Sequence, residues 1–188
     1  MLGVLETADA KMTMGFENAG DLIYLLGTPE DDINCSEYAN EICGIKNSVV
    51  PHFDLEEEAK LQHCVSQLIH KRLIQSAHDV SEGGLFVTLL ESAMDGGRGF
   101  ECATDENYRK DAYLFGESQS RVVVSVHPDT KEKFELILSA LGVEHAKIGY
   151  VLHETIIIDK QSYGAVQEWK DLYDNAISKK LGVEAELA

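Results

Sequence analysis

Apolar positions recur along this chain at two periods, and the periods divide it into amphipathic helices and short extended runs. Leu61, Cys64, Val65, Leu68, Ile69 and Leu73 fall on one face at 3.6-residue spacing, which predicts a helix packed along one side. Asp54 and Glu57 stand in capping-box relation ahead of it. Glu56, Glu57 and Glu58 occupy its first turn and Lys71 and Arg72 its last, each sign matched to the helix dipole. A second helix is predicted from Leu85, Phe86, Leu89, Leu90 and Ala93, and ends at Asp95-Gly96-Gly97-Arg98-Gly99, where glycine can take the left-handed C-terminal position. A third opens on Asp129 and Glu132, again as a capping box, carries Phe134, Ile137, Leu138 and Leu141, and stops at Gly142. The last runs through Val166, Trp169, Leu172, Tyr173 and Ile177 to a basic end at Lys179 and Lys180, with Trp169 as a core anchor. A weaker helix is read over 106–114.

The extended runs are short and rich in β-branched residues. They are Leu22-Ile23-Tyr24-Leu25-Leu26, stopped by Gly27 and Pro29, then 73–77, 100–103, Val122-Val123-Val124-Ser125-Val126, 146–152 and 155–159. The last two are expected to pair as a hairpin across His153-Glu154. Residues 1–13 show no strong period, an abrupt opening that suggests a piece of something longer. Residues 30–53 are polar and irregular, a long excursion with one short helix. If the end of the strand before Asp79 and the start of the strand after Arg121 face one cleft, those strands run antiparallel or lie at opposed ends of a sheet. The predicted fold is therefore α+β: a mixed β-sheet with helices packed mainly on one face, forming a single domain over 1–188.

Composition narrows the function more than the fold. The chain has 188 residues, 44% of them hydrophobic and 26% charged, and only three prolines, which is globular composition without a low-complexity linker. Its formal net charge of −17 argues against partners such as nucleic acid or anionic membrane. A single nucleotide is not excluded, because backbone N–H groups and a divalent cation can hold one despite an acidic exterior. No run reaches the roughly 18 apolar residues of a membrane span and no basic-then-apolar signal opens the chain, so a cytoplasmic location is expected. Cys35, Cys43, Cys64 and Cys102 form no C-x-x-C pair and are expected as reduced thiols; neither they nor the seven histidines show a zinc spacing.

Candidate chemistry concentrates in two stretches. His78-Asp79-Val80-Ser81-Glu82-Gly83-Gly84 places acid, hydroxyl and paired glycines between a strand and a helix. At a helix N-terminus the free N–H groups and the positive end of the dipole favour an anion, glycine permits close approach, and Asp79 can hold a hard cation through oxygen. The plainer reading is a turn in which Ser81 or Asp79 caps the helix; the string matches neither the P-loop nor the dinucleotide fingerprint. Phe115-Gly116-Glu117-Ser118-Gln119-Ser120-Arg121 is the second stretch, and its plainer reading is a polar turn whose arginine starts a strand on the solvent side.

These two stretches, together with Met14-Gly15-Phe16-Glu17-Asn18-Ala19-Gly20-Asp21 and the strand that follows it, resemble the C-terminal domain of the aminoimidazole ribonucleotide synthetase-like superfamily. Within it the chain is similar to the second-copy C-terminal domain of the formylglycinamidine ribonucleotide synthetase (phosphoribosylformylglycinamidine synthase) family, built from two tandem pairs of N- and C-terminal domains. The resemblance implies a single C-terminal-type domain of a larger ligase that uses ATP and glutamine-derived ammonia in purine biosynthesis. The catalytic histidine and most nucleotide contacts would lie in N-terminal domains, so no catalytic residue is assigned here. Asp79 falls at a magnesium-ligand position, and Ser81, with Glu82, Gly83 and Gly84, at a nucleotide-binding one. Positions matching Glu117, Ser118 and Gln119 hold formylglycinamide ribonucleotide in the first copy; in the second, the equivalent cleft is similar to an auxiliary nucleotide site. Arg121 is assigned to a phosphate or to fixing Glu117. The implied cofactors are Mg2+ and ATP or ADP, and the implied partners are the remaining synthetase domains and a glutaminase subunit or domain. Alternatives are a non-catalytic nucleotide-binding or interface module, or the C-terminal domain of a selenophosphate synthetase-like or hydrogenase-maturation-like enzyme.

Overall fold

The structure, a computed structural model, describes residues 11–182, so the aperiodic reading of 1–10 lies outside the described residues. Its strands are β1 (Leu22–Leu26), β2 (Ser76–Asp79), β3 (Gly99–Cys102), β4 (Val122–Val126), β5 (His145–Leu152), β6 (Thr155–Ile158) and β7 (Gln161–Ala165). Its helices are α1 (Leu55–His70), α2 (Gly84–Gly96), α3 (Lys110–Phe115), α4 (Lys131–Leu141), α5 (Val166–Asp174) and α6 (Ala176–Lys180), with a π-helical turn at Tyr38–Ile42 inside the excursion. All the strands join one sheet in the order β2-β4-β1-β5-β3-β6-β7, antiparallel throughout except for the parallel β3–β6 pair. The mixed α+β sheet is as expected.

Helices cover both faces of this sheet, which corrects the expectation of one. Every residue of β1 is buried: Ile23 and Leu25 enter a core with α2, α3 and α5, while Leu22, Tyr24 and Leu26 enter a second core with α1 and α4. An unbroken apolar run belongs to a strand covered on both sides, whereas a strand with one wet face alternates. On the α1 side Leu61, Cys64 and Leu68 meet Phe134 and Leu138 of α4 above β1 and β4. Asp54 starts α1 as expected, its Oδ1 accepting from the N–H groups of Glu56 (2.8 Å) and Glu57 (3.1 Å), which hold its carboxyl below the usual range.

The expected β5–β6 hairpin does not form, because β3 lies between the two strands. Close approach allows it: a Cβ on Gly99 would stand 2.2 Å from Thr155 O, and one on Gly149 would stand 1.9 Å from Glu101 O. Strand β6 instead pairs with β7 across Asp159 and Lys160, both left-handed (φ 49° and 67°), the geometry that a two-residue hairpin loop demands. The third helix is also opened differently. Asp129 lies in a 3-10 turn (Pro128–Thr130) whose cap is the His127 ring, accepting from Asp129 N–H, and α4 begins only after it. Proline at the first position pre-sets the tight turn. The terminal helix is broken at Asn175 into α5 and α6; Trp169 is half-buried against Phe86 and donates to Tyr163 O at 2.8 Å.

The four cysteines are free, Cys64 and Cys102 inside and Cys35 and Cys43 at the surface. Among the described residues no helix is long and apolar enough to cross a membrane.

Two-sided burial has a measurable consequence. Leu68→Ala, at a fully buried site on α1, is expected to lower stability by about 2–5 kcal/mol in urea unfolding. Leu136→Ala, on the exposed face of α4, should change it by about 0.5 kcal/mol or less. Equal small effects would mean that α1 does not seal a core.

Candidate functional site

Antiparallel pairing of β2 with β4 sets Asp79 opposite Val122, so the residues after one strand adjoin the residues before the other. Val80 N–H donates to Arg121 O (2.9 Å), extending that contact past the strand end. A third segment closes in from β1, where a Cβ on Gly27 would stand 2.0 Å from Ser120 O. Helix α1 roofs this corner of the sheet, and Ser120 Oγ donates to its Glu58 Oε2 at 2.7 Å. The result is an open cleft of about 1090 Å³.

Asp79, Ser81, Glu82, Glu117, Gln119 and Arg121, far apart in sequence, all line this cleft. Gly83 and Gly84 stand behind its lip. Both are left-handed (φ 84° and 69°), and Gly83 occupies the N-cap of α2 without any side-chain cap, so neither Ser81 nor Asp79 caps the helix. Gly84 is required by the chain's own backbone: a Cβ there would lie 2.7 Å from Gly116 O and 2.8 Å from Leu114 O. The amides of the turn are engaged internally, Gly84 N–H donating to Ser81 O (3.0 Å) and Gly83 N–H to Glu117 Oε1 (2.8 Å). The same Glu117 oxygen accepts from Glu37 N–H at 2.8 Å. His78 points away from the cleft and ties β2 to α2, with Nδ1 3.2 Å from both Thr88 O and Ser92 Oγ.

Arg121 faces inward, which corrects its reading as a solvent-side start to β4. It is only 3% exposed, its Nε donates to Ser118 O (3.1 Å) and its Nη2 to Gly116 O (2.7 Å). Burial pulls its pKa down to about 10, still far above neutrality. Ser118, equally buried, is not among the residues lining the cleft. The α1 wall was missed. Glu58, Gln62, Ser66 and His70 line the cleft as a polar ridge at four-residue steps, beside an apolar ridge of Leu61, Val65 and Ile69. Those two parallel ridges were the available signal, and Phe53 and Val122 complete the apolar side.

Residues 18–159 match the family described as AIR synthase related protein, C-terminal domain. The chain belongs to that family. It is 37% identical over 188 residues to phosphoribosylformylglycinamidine synthase subunit PurL of Leuconostoc mesenteroides, an alignment covering 98% of this chain and 25% of that protein. It spans about a quarter of the length of the curated relatives it matches. Its fold is that of Thermotoga maritima PurL complexed with FGAR, with a TM-score of 0.73 and 18% identity over 87% of this chain and 30% of the other. The same protein complexed with ATP superposes with a TM-score of 0.68 and 16% identity, over 87% and 28%.

In this AIR synthase-type domain the cleft is acidic. Glu58, Asp79, Glu82 and Glu117 line it, while Arg121, also in the lining, has its Nε and Nη2 engaged by carbonyls. Among the described residues no three His, Cys, Asp or Glu side chains gather into a cage for a metal ion. Asp79, exposed at the strand end, fits instead a cation that keeps most of its waters and takes one or two carboxylates, the habit of Mg2+ bound with phosphate.

The glycine turn supplies a test of what its shape is for. Gly84→Ala meets three backbone atoms of 114–116 within 2.8 Å, whereas Gly97→Ala, with a similar φ of 62°, meets nothing within 4 Å. Gly97→Ala should cost about 1–2 kcal/mol, the left-handed penalty alone, and Gly84→Ala clearly more in thermal or urea unfolding. Equal losses would show that the 114–116 backbone does not constrain the turn.

Proposed function

We propose that this chain serves as a C-terminal-type domain of a phosphoribosylformylglycinamidine synthase. That enzyme converts formylglycinamide ribonucleotide to formylglycinamidine ribonucleotide with ATP and with ammonia derived from glutamine, and here the domain contributes an auxiliary nucleotide–magnesium cleft. The observation that carries the reading is 37% identity to a PurL subunit over 98% of the chain. Complexes of the Thermotoga PurL with FGAR and with ATP are consistent with ligands of this class on this fold.

The cleft's own residues suit a nucleotide divided between two walls. The apolar ridge of Val65 and Ile69, with Phe53, takes the flat base, and Glu58, Gln62 and Ser66 beside it take polar edges. Asp79 holds magnesium, which supplies the positive charge that phosphate oxygens need in so acidic a site. Ser81 and Glu82 form the exposed lip over the phosphates, and Gln119 donates or accepts from the loop opposite. The complete reaction is the work of the longer protein, with its other domains and a glutaminase subunit or domain supplying ammonia. The chain alone is expected to release no ADP in the presence of formylglycinamide ribonucleotide, ATP and ammonia.

The test is thermal melting of the chain with Mg–ADP, wild type against Asp79→Asn. Without ligand the two should agree within about 0.5 kcal/mol, since Asp79 is exposed. With ligand the wild type should gain stability, about 2.7 kcal/mol at 100 times Kd, and the variant should lose most of that gain. Equal shifts would remove Asp79 from the site, and no shift in either would remove the nucleotide.

A further inference from the structure

Glu117 resembles a ligand-binding position by sequence, but its bonds run inward. We propose that Glu117 is a positioning residue: one carboxylate oxygen latches the 30–53 excursion and the glycine turn to the cleft, and it serves as the resident anion at the N-terminus of α2. Oε1 accepts from Gly83 N–H and from Glu37 N–H, each at 2.8 Å, so segments 34 and 80 residues away from it in sequence meet on one atom. Both bonds are charge-assisted, roughly twice as strong as neutral ones, and the Gly83 amide opens the positive end of the α2 dipole.

The residue is itself held for this task. Arg121 bonds the carbonyls of Gly116 and Ser118, the residues on either side of Glu117, so the backbone bearing the carboxylate is clamped from within. The excursion meets the same loop next to the latch, where the Tyr38 ring stacks on Phe115 at 4.8 Å and 8°, and where Gly116 packs on Asp32 O. Beyond Tyr38 the excursion turns apolar groups to solvent, Ile42, Val49 and Val50 each more than 70% exposed, and then returns to the cleft wall at Phe53. The latch therefore sets how the excursion stands against the cleft, through Glu37 on one side and Gly83 on the other. This inference rests on the geometry alone and not on the proposed function.

The experiment is amide hydrogen exchange at Glu37 and Gly83 in the 188-residue chain, comparing wild type, Glu117→Gln and Glu117→Ala. Loss of a charge-assisted bond should speed exchange of both amides about tenfold or more in the alanine variant. Glutamine keeps an acceptor at the same reach without the charge, so it should restore exchange part-way toward wild type. Should the alanine variant fail to fold, the glutamine variant decides alone: faster exchange at both amides supports the latch, and unchanged exchange overturns it. Unchanged exchange in both variants, or a change at only one of the two amides, likewise overturns it. Because no ligand is needed, a failure of Mg–ADP to shift melting would overturn the nucleotide–magnesium role proposed for the cleft and leave the latch standing.

Discussion

A buried guanidinium has to find its hydrogen-bond acceptors inside the protein, and at Arg121 that requirement organises the corner of the sheet on which the cleft is built. Removing the cation from water is costly unless its N–H groups are satisfied. The carbonyls of Ser118 and Gly116 accept from Nε and Nη2 only if the 116–121 loop folds back over the start of β4. Once folded back, the loop crowds Gly27 through Ser120 and receives Gly84 against the backbone of 114–116. One desolvated side chain thus fixes the meeting of β1, β2, β4 and α2.

Much of this arrangement was legible because it is written in local periods. The face of α1, the extended run of β1 and the strand-to-helix passage at 79–84 follow from side-chain spacing alone, and they stand where expected within a few residues. What escaped was long-range. Nothing near His153 and Glu154 announces that β3, some fifty residues earlier, will slip between β5 and β6, although Gly99 and Gly149 lack the Cβ that would have prevented it. The second helical layer was written in the unbroken run of β1, where five apolar residues in succession leave no wet face. Strand β7, short and polar with a left-handed Gly164, carries too weak a pattern to be seen before β6 supplies its partner.

The site shows the same division. Which residues would gather could be read, since Asp79, Ser81, Glu82, Glu117, Gln119 and Arg121 do line one cleft. Which way each would face could not, because a glycine pair looks the same whether a ligand or the chain's own backbone approaches it. Gly84 answers to Leu114 and Gly116, and Arg121 answers to carbonyls. Polar residues dense enough to suggest ligand chemistry are partly the fastening of the cleft itself, which leaves Asp79, Ser81, Glu82 and Gln119 facing the polar ridge of α1 across it.

The pairing of β2 with β4 also bears on how the domain comes into being. The two strands that meet at Asp79 and Val122 are separated by all of α2, β3 and α3, and β1 must wait for β4, about a hundred residues downstream, and then for β5. A sheet whose centre is assembled from such distant contacts folds slowly, since loop closure precedes any reward from pairing. On a ribosome, Leu22 to Leu26 would emerge about a hundred residues ahead of β4 and stay without either neighbour until about residue 126 had followed. For that interval a strand buried at every position in the finished sheet is an open edge. Its exposure lasts as long as the intervening hundred or so residues take to be made, so β1 waits longest of the strands in the sheet to be sheltered.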